Sequence, residues 1–140
     1  MDRRNFFKQS LMACGVVTGT VLVVESCKKS NSGTTPQGPT VNFTIDLSLP
    51  ANASLNTTGG SGSSNGVVVV NMGSGSFIAV AQSCTHNGCS VSYSQGNNNF
   101  LCPCHGATFS TTGAVTNGPA SVPLKKYTVT KNGNILTVTG

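Results

Sequence analysis

The chain has 140 residues, enough for one domain, with charged side chains at 8%, 17 glycines and no tryptophan. Its net charge of +5 gathers near the N-terminus; past residue 40 only Lys125, Lys126 and Lys131 stand against Asp46, with no basic run, which excludes a nucleic-acid partner. Asp2, Glu25 and Asp46 are the only acids, so paired carboxylates for acid–base hydrolysis are excluded, and no nucleophile with a base and no phosphate loop is present.

Residues 2–8 form a charged start, and 9–24 a mostly apolar run broken by Ser10, Thr18 and Thr20, too short and too polar for a membrane span. Residues 1–26 are therefore expected to be an export signal. Arg3-Arg4-Asn5-Phe6 resembles a twin-arginine signal, with an ordinary secretory signal as the plain alternative. Cys14 reads as a small apolar residue of the run. Cys27 follows Val24-Glu25-Ser26 as the cysteine of a bacterial lipobox does, so a lipid anchor is expected there, although Glu25 departs from that pattern. Residues 27–40 lack periodicity and apolar content and read as a flexible tether. The protein is accordingly expected to be exported to the bacterial cell envelope and attached to a membrane.

The body, 41–140, reads as all-β. Residues 41–49 alternate apolar and polar with period two and end at Pro50, as a half-buried strand does. Residues 51–65 read as a loop. Residues 67–72 and 77–81 flank a Gly-Ser turn and form a predicted hairpin; 127–130 and 135–139 form another around Asn132-Gly133. No helical period follows residue 26. Phe43, Ile45, Val68, Val70, Phe77, Ile78, Leu136 and Val138 are the expected core, and Lys125 and Lys126 are expected to be solvated.

Between the two hairpins the sequence reads C-T-H-N-G-C, twelve residues, then C-P-C-H-G-A-T-F. Cys84, His86, Cys89, Cys102, Cys104 and His105 thus crowd one short stretch, the mark of a metal site. Gln95-Gly96-Asn97-Asn98 offers a turn between 90–94 and 99–101. With Gly96-Asn97 as a two-residue loop, opposed positions sum to 193. On that register Cys89 faces Cys104, and the two are candidates for a bridge wherever regular pairing extends into the loops.

C-x-H followed by C-x-x-H resembles the ligand pattern of Rieske iron–sulfur proteins. The extra cysteine in each half resembles the disulfide-bearing Rieske subunits of cytochrome bc complexes. The resemblance covers residues 84–109 directly, and Gly118-Pro119-Ala120, similar to the family's proline loop over the cluster, extends it across roughly 60–140. It implies an antiparallel β sandwich with a small cluster-binding subdomain whose loops are 84–89 and 102–109, and one [2Fe–2S] cluster. It further implies that Cys84 and Cys102 are thiolate ligands of one iron, that His86 and His105 are imidazole ligands of the other, and that Cys89 and Cys104 form a disulfide. A disulfide suits an exported protein.

The implied function is one-electron transfer, accepting electrons from a quinol or a redox partner protein in a respiratory chain. Two ferric ions, two sulfides and two thiolates are neutral overall, so the cluster accepts an electron more readily than an all-cysteine one, at roughly −150 to +300 mV. Where the bc-type motif continues with Ser and Tyr, hydroxyl donors to the cluster sulfurs, this chain has Ala107 and Phe109, which implies a potential at the low end for disulfide-bearing members. Ser121 stands where many members have a second proline. An electron-transfer subunit of a periplasmic oxidase is the alternative role, and a structural zinc module the alternative chemistry.

Overall fold

The computed structural model describes residues 38–140. The expected export signal, Cys27 and the tether up to residue 37 lie outside the described residues. Ten strands follow in order: β1 (Asn42–Asp46), β2 (Ser61–Ser64), β3 (Val67–Gly73), β4 (Ser76–Ala81), β5 (Ser92–Ser94), β6 (Asn99–Leu101), β7 (Thr108–Ser110), β8 (Val115–Asn117), β9 (Lys126–Asn132) and β10 (Ile135–Thr139). All pairings are antiparallel, in a six-stranded sheet ordered β1-β10-β9-β4-β3-β2 and a four-stranded sheet ordered β5-β6-β7-β8. The all-β expectation holds, and among the described residues no helix is long and apolar enough to cross a membrane.

The strand of four valines, Val67 to Val70, explains how the layers stack. Successive side chains of a strand point to opposite faces, and here both faces are covered, so the run is apolar throughout instead of alternating. Val68 and Val70, with Val80 of β4, pack against Phe100, Phe109, Cys84 and Cys102 of the smaller unit. Val67 and Val69, with Ala79 and Ala81, pack against Ile45, Leu136 and Val138 of β1 and β10. The six-stranded sheet thus folds over on itself through β9, and β3 and β4 are shared by two cores. Of the expected core, Phe43, Phe77 and Ile78 are only partly buried, at the margins of these clusters.

Two expected boundaries move for local reasons. β1 stops at Asp46, because the Asp46 carboxylate accepts hydrogen bonds from the Ser48 amide (2.8 Å) and hydroxyl (2.6 Å), an Asx turn that bends the chain away. A 3-10 segment, Pro50–Asn56, and β2 then occupy what reads as a loop. β2 is Ser-Gly-Ser-Ser, an edge strand with no hydrophobic pattern. It is recruited by pairing with β3 across the Asn65-Gly66 turn, where both residues are left-handed (φ 51° and 76°). The body's contacts also reach back beyond residue 41: the Pro39 carbonyl accepts from the Tyr127 hydroxyl (2.8 Å) and the Lys125 ammonium (3.1 Å), so Lys125 is not simply solvated.

Candidate metal centre

The β5–β6 hairpin sets the site. Ser92 pairs with Leu101, Tyr93 with Phe100 and Ser94 with Asn99, the register expected from the sequence. Its turn is four residues long instead of two. Asn98, not Gly96 or Asn97, takes the left-handed conformation (φ 49°), held there by the Tyr93 hydroxyl donating to its side-chain oxygen (2.6 Å). β7 adds to β6, with Phe100 opposite Phe109. The connections entering β5 and leaving β6 thereby come out side by side.

These two connections are built alike. In 84–89 the Cys84 amide donates to the Cys89 carbonyl (2.8 Å) and the Gly88 amide to the Cys84 carbonyl (2.8 Å). In 102–107 the Cys102 amide donates to the Ala107 carbonyl (2.8 Å) and the Gly106 amide to the Cys102 carbonyl (3.0 Å). Gly88 and Gly106 both have φ 75°, a left-handed conformation that a residue with a Cβ adopts at a cost. The C-x-x-x-G spacing repeated in the two loops, which the sequence reading passed over, is the pattern that carries this shared frame.

The frame sorts the donors by depth. Cys84 and Cys102 are free thiols, 3% and 1% exposed, in the apolar cluster with Phe100, Ala107 and Phe109. His86 and His105 are exposed, with ring centroids 4.8 Å apart and planes at 87°. Cys89 and Cys104 are joined in a disulfide, Cα to Cα 6.5 Å, as their opposed register positions suggest. The sulfurs of Cys89, Cys102 and Cys104 lie within 4.8 Å of one another, but two of the three belong to the bridge, so that trio is not a chelating set. Burial pushes the Cys84 thiol up from its ordinary pKa; the backbone amides of His86 and Asn87 oppose this, and the neighbouring Cys102 adds to it.

The segment 117–122 is tied to both loops. The Thr85 hydroxyl donates to the Val122 carbonyl (2.6 Å), and the Asn117 amide group donates to the carbonyls of Gly106 (3.2 Å) and Gly118 (3.1 Å). Gly118 and Pro119 are exposed and joined by a cis peptide, whereas Ala120 is buried. Thr85 and Asn117 carried no signal in the sequence, because their partners are backbone atoms.

Two buried thiols and two exposed imidazoles from facing loops make a donor set suited to iron or zinc, and thiolate with imidazole fits an iron–sulfur centre. Comparisons with known proteins agree with that donor set. Residues 47–128 match the family model of the Rieske [2Fe-2S] domain. The chain is 33% identical over 153 residues to the cytochrome b6-f complex iron-sulfur subunit of Synechococcus elongatus, covering 97% of this chain and 83% of that one. It is 42% identical over 72 residues to the corresponding subunit of Chlorobaculum thiosulfatiphilum, of which it spans only 39% of the length. The crystal structure of the plasma membrane Rieske protein of the cyanobacterium Synechocystis superposes with a TM-score of 0.57 at 38% identity, over 70% of this chain and 99% of that one.

Proposed function

Because the chain belongs to the Rieske [2Fe–2S] domain family, we propose that Cys84, Cys102, His86 and His105 hold its single cluster, with Cys thiolates on one iron and His imidazoles on the other. The cluster supplies one-electron chemistry. Everything else at the site is done by the chain. The apolar cluster around Cys84 and Cys102 keeps water from the sulfur side. The backbone amides of His86 and Asn87 favour the Cys84 thiolate, against the effect of burial. The disulfide holds the two loops together, and Gly118, Pro119 and Ala120, pinned through Asn117 and Thr85, form the cap. His86 and His105 are the side chains that a partner can touch.

The observation that carries this reading is the separation of donors: free thiols inside, imidazoles outside, on two loops of one construction. The natural direction of flow is from a quinol or a redox protein into the domain and on to a second protein. Relatives named as cytochrome b6-f subunits favour a cytochrome complex as the setting. Placement at the cell envelope, with 1–26 as export signal, lipidation at Cys27, a tether from 27 whose last residues, from Gly38 on, pack against the domain, and 41–140 as the redox domain, completes the proposal.

The test is chemical analysis of the purified, coloured protein. About two irons and two acid-labile sulfides per chain are expected, with Cys102→Ala and His105→Ala losing both and Pro103→Ala keeping them. One zinc and no sulfide in the wild type would mean a structural zinc site instead.

A further inference from the structure

The inner face of the larger sheet is apolar along most of its length and stops being so at one end. On that face β3 runs Val67, Val69, Asn71; β4 runs Ala81, Ala79, Phe77; and β9 runs Tyr127, Val129, Lys131. Lys131 pairs with Leu136 and Val129 with Val138, both partners buried, which puts the lysine in a row that elsewhere packs the core. The three rows thus end in an amide, an aromatic ring and an ammonium, where apolar side chains would simply have continued the core. This end is the one remote from the cluster loops, since β4 begins here at Ser76 and leaves for Cys84 from Ala81.

Asn71, Phe77 and Lys131 line an open cavity of about 250 Å³, with Leu47 and Leu55 on its apolar side and Ser74 at its rim. Its walls are fixed in place. The Asn71 side-chain amide donates to the Leu55 carbonyl (2.8 Å), its oxygen accepts from the Gly73 amide (2.8 Å), and the Asn56 side chain donates to the Leu47 carbonyl (2.9 Å). The Lys131 ammonium stands 6.0 Å from the centre of the Phe77 ring. Asp46, the only acidic side chain among the described residues, is turned onto Ser48 and does not line the cavity. The cavity therefore offers an ammonium, beside a ring face and two leucines, to an anion from outside.

We propose that this cavity is a binding site for a small organic anion, a carboxylate carried on a flat or short apolar body. The carboxylate pairs with the Lys131 ammonium, with the Ser74 hydroxyl at the rim as a further donor, and the body covers the Phe77 ring and the leucine side. A volume just below the roughly 300 Å³ at which ligand pockets usually begin limits that body to about the size of one aromatic ring. An inorganic anion would use the ammonium and leave the ring and the leucines unmatched.

The experiment titrates the isotope-labelled, cluster-containing full chain with benzoate, benzamide and inorganic phosphate at matched ionic strength, following the amide resonances of Asn71, Gly73, Phe77 and Lys131. Benzoate is expected to shift them with a Kd on the order of 1 mM, and benzamide and phosphate to bind about tenfold more weakly or worse. Lys131→Gln is expected to weaken benzoate about tenfold or more, Lys131→Arg to retain it, and Lys126→Gln, on the other face of β9, to leave it unchanged. Lys131 is exposed, so these variants keep the fold, which the unmoved resonances of the core verify. Equal binding of benzamide or of phosphate, shifts centred away from these residues, or an unaltered affinity in Lys131→Gln would each overturn the proposal. So would the absence of any shift at about 20 mM benzoate.

Discussion

Ala107 and Phe109 are both fully buried in the apolar cluster that holds the two free thiols. Neither side chain can donate a hydrogen bond, and the influences that pull the Cys84 thiol back down against burial come from the backbone amides of His86 and Asn87. A hydroxyl introduced here would be shielded from water and would seek the nearest acceptor. Ala107→Ser combined with Phe109→Tyr is therefore expected to raise the midpoint potential, by about 60 mV for each ~1.4 kcal/mol of preference for the reduced state. A redox titration of wild type and double variant decides it, and an unchanged or lower value would refute a donor deficit at these positions.

Among the elements, legibility followed apolar content. β3, β4, β9 and β10 announce themselves by Val, Ile and Leu at strand spacing and by glycine turns, and they stand within two residues of where the sequence puts them, β9 running on to Asn132. β2, β7 and β8 did not, since Ser-Gly-Ser-Ser, Thr-Phe-Ser and Val-Thr-Asn are too short or too polar to show a period; pairing with a neighbour makes them strands. The β5–β6 register was legible although its turn was not, because lengthening the loop symmetrically leaves opposed positions unchanged. The six cysteine and histidine positions of the site were legible as a cluster, whereas the anchoring by Thr85 and Asn117 depends on where backbone carbonyls fall. The disulfide closes a separation of 15 residues, for which loop entropy gives about 3 kcal/mol. Replacing Cys89 and Cys104 together by serine should lower stability in denaturant titrations by about that amount, and an undiminished midpoint would show that the β5–β6 hairpin alone holds the loops in place.

At the scale of the molecule, the scarcity of charge governs the response to pH. Acid unfolding is driven mainly by protonating carboxylates that the fold favours as anions. Among the described residues Asp46 is the only acidic side chain, and the Ser48 hydroxyl and amide hold its carboxyl below the ordinary range. A lowered folded pKa contributes stability above the unfolded value and loses it as pH falls through the folded value, so the acid limb begins only below about pH 4. Tyr127 has the opposite sign: burial raises its phenol, so its contribution is complete below about pH 10 and fades as pH rises through the folded value. Thermal unfolding of the domain is expected to be nearly flat between these limits, with Asp46→Asn softening the acid limb and Tyr127→Phe removing the alkaline one. A steep loss of stability between about pH 7 and pH 5 would contradict this.

β4 and β9 are partners in the larger sheet although the four-stranded unit intervenes between them in the chain. Ala79 pairs with Tyr127, and the Ala81 amide donates to the Lys125 carbonyl (2.8 Å). The chain therefore leaves the sheet and re-enters it at a single point, as a cassette does in its socket. Cutting out 82–124 and closing the gap with a short turn would restore an ordinary hairpin between β4 and β9. By the same geometry, the excised stretch could be grafted onto any antiparallel hairpin whose outer face offers apolar cover comparable to Val68, Val70 and Val80. The redox unit is inserted at one point of the chain, and the larger sheet is its mount.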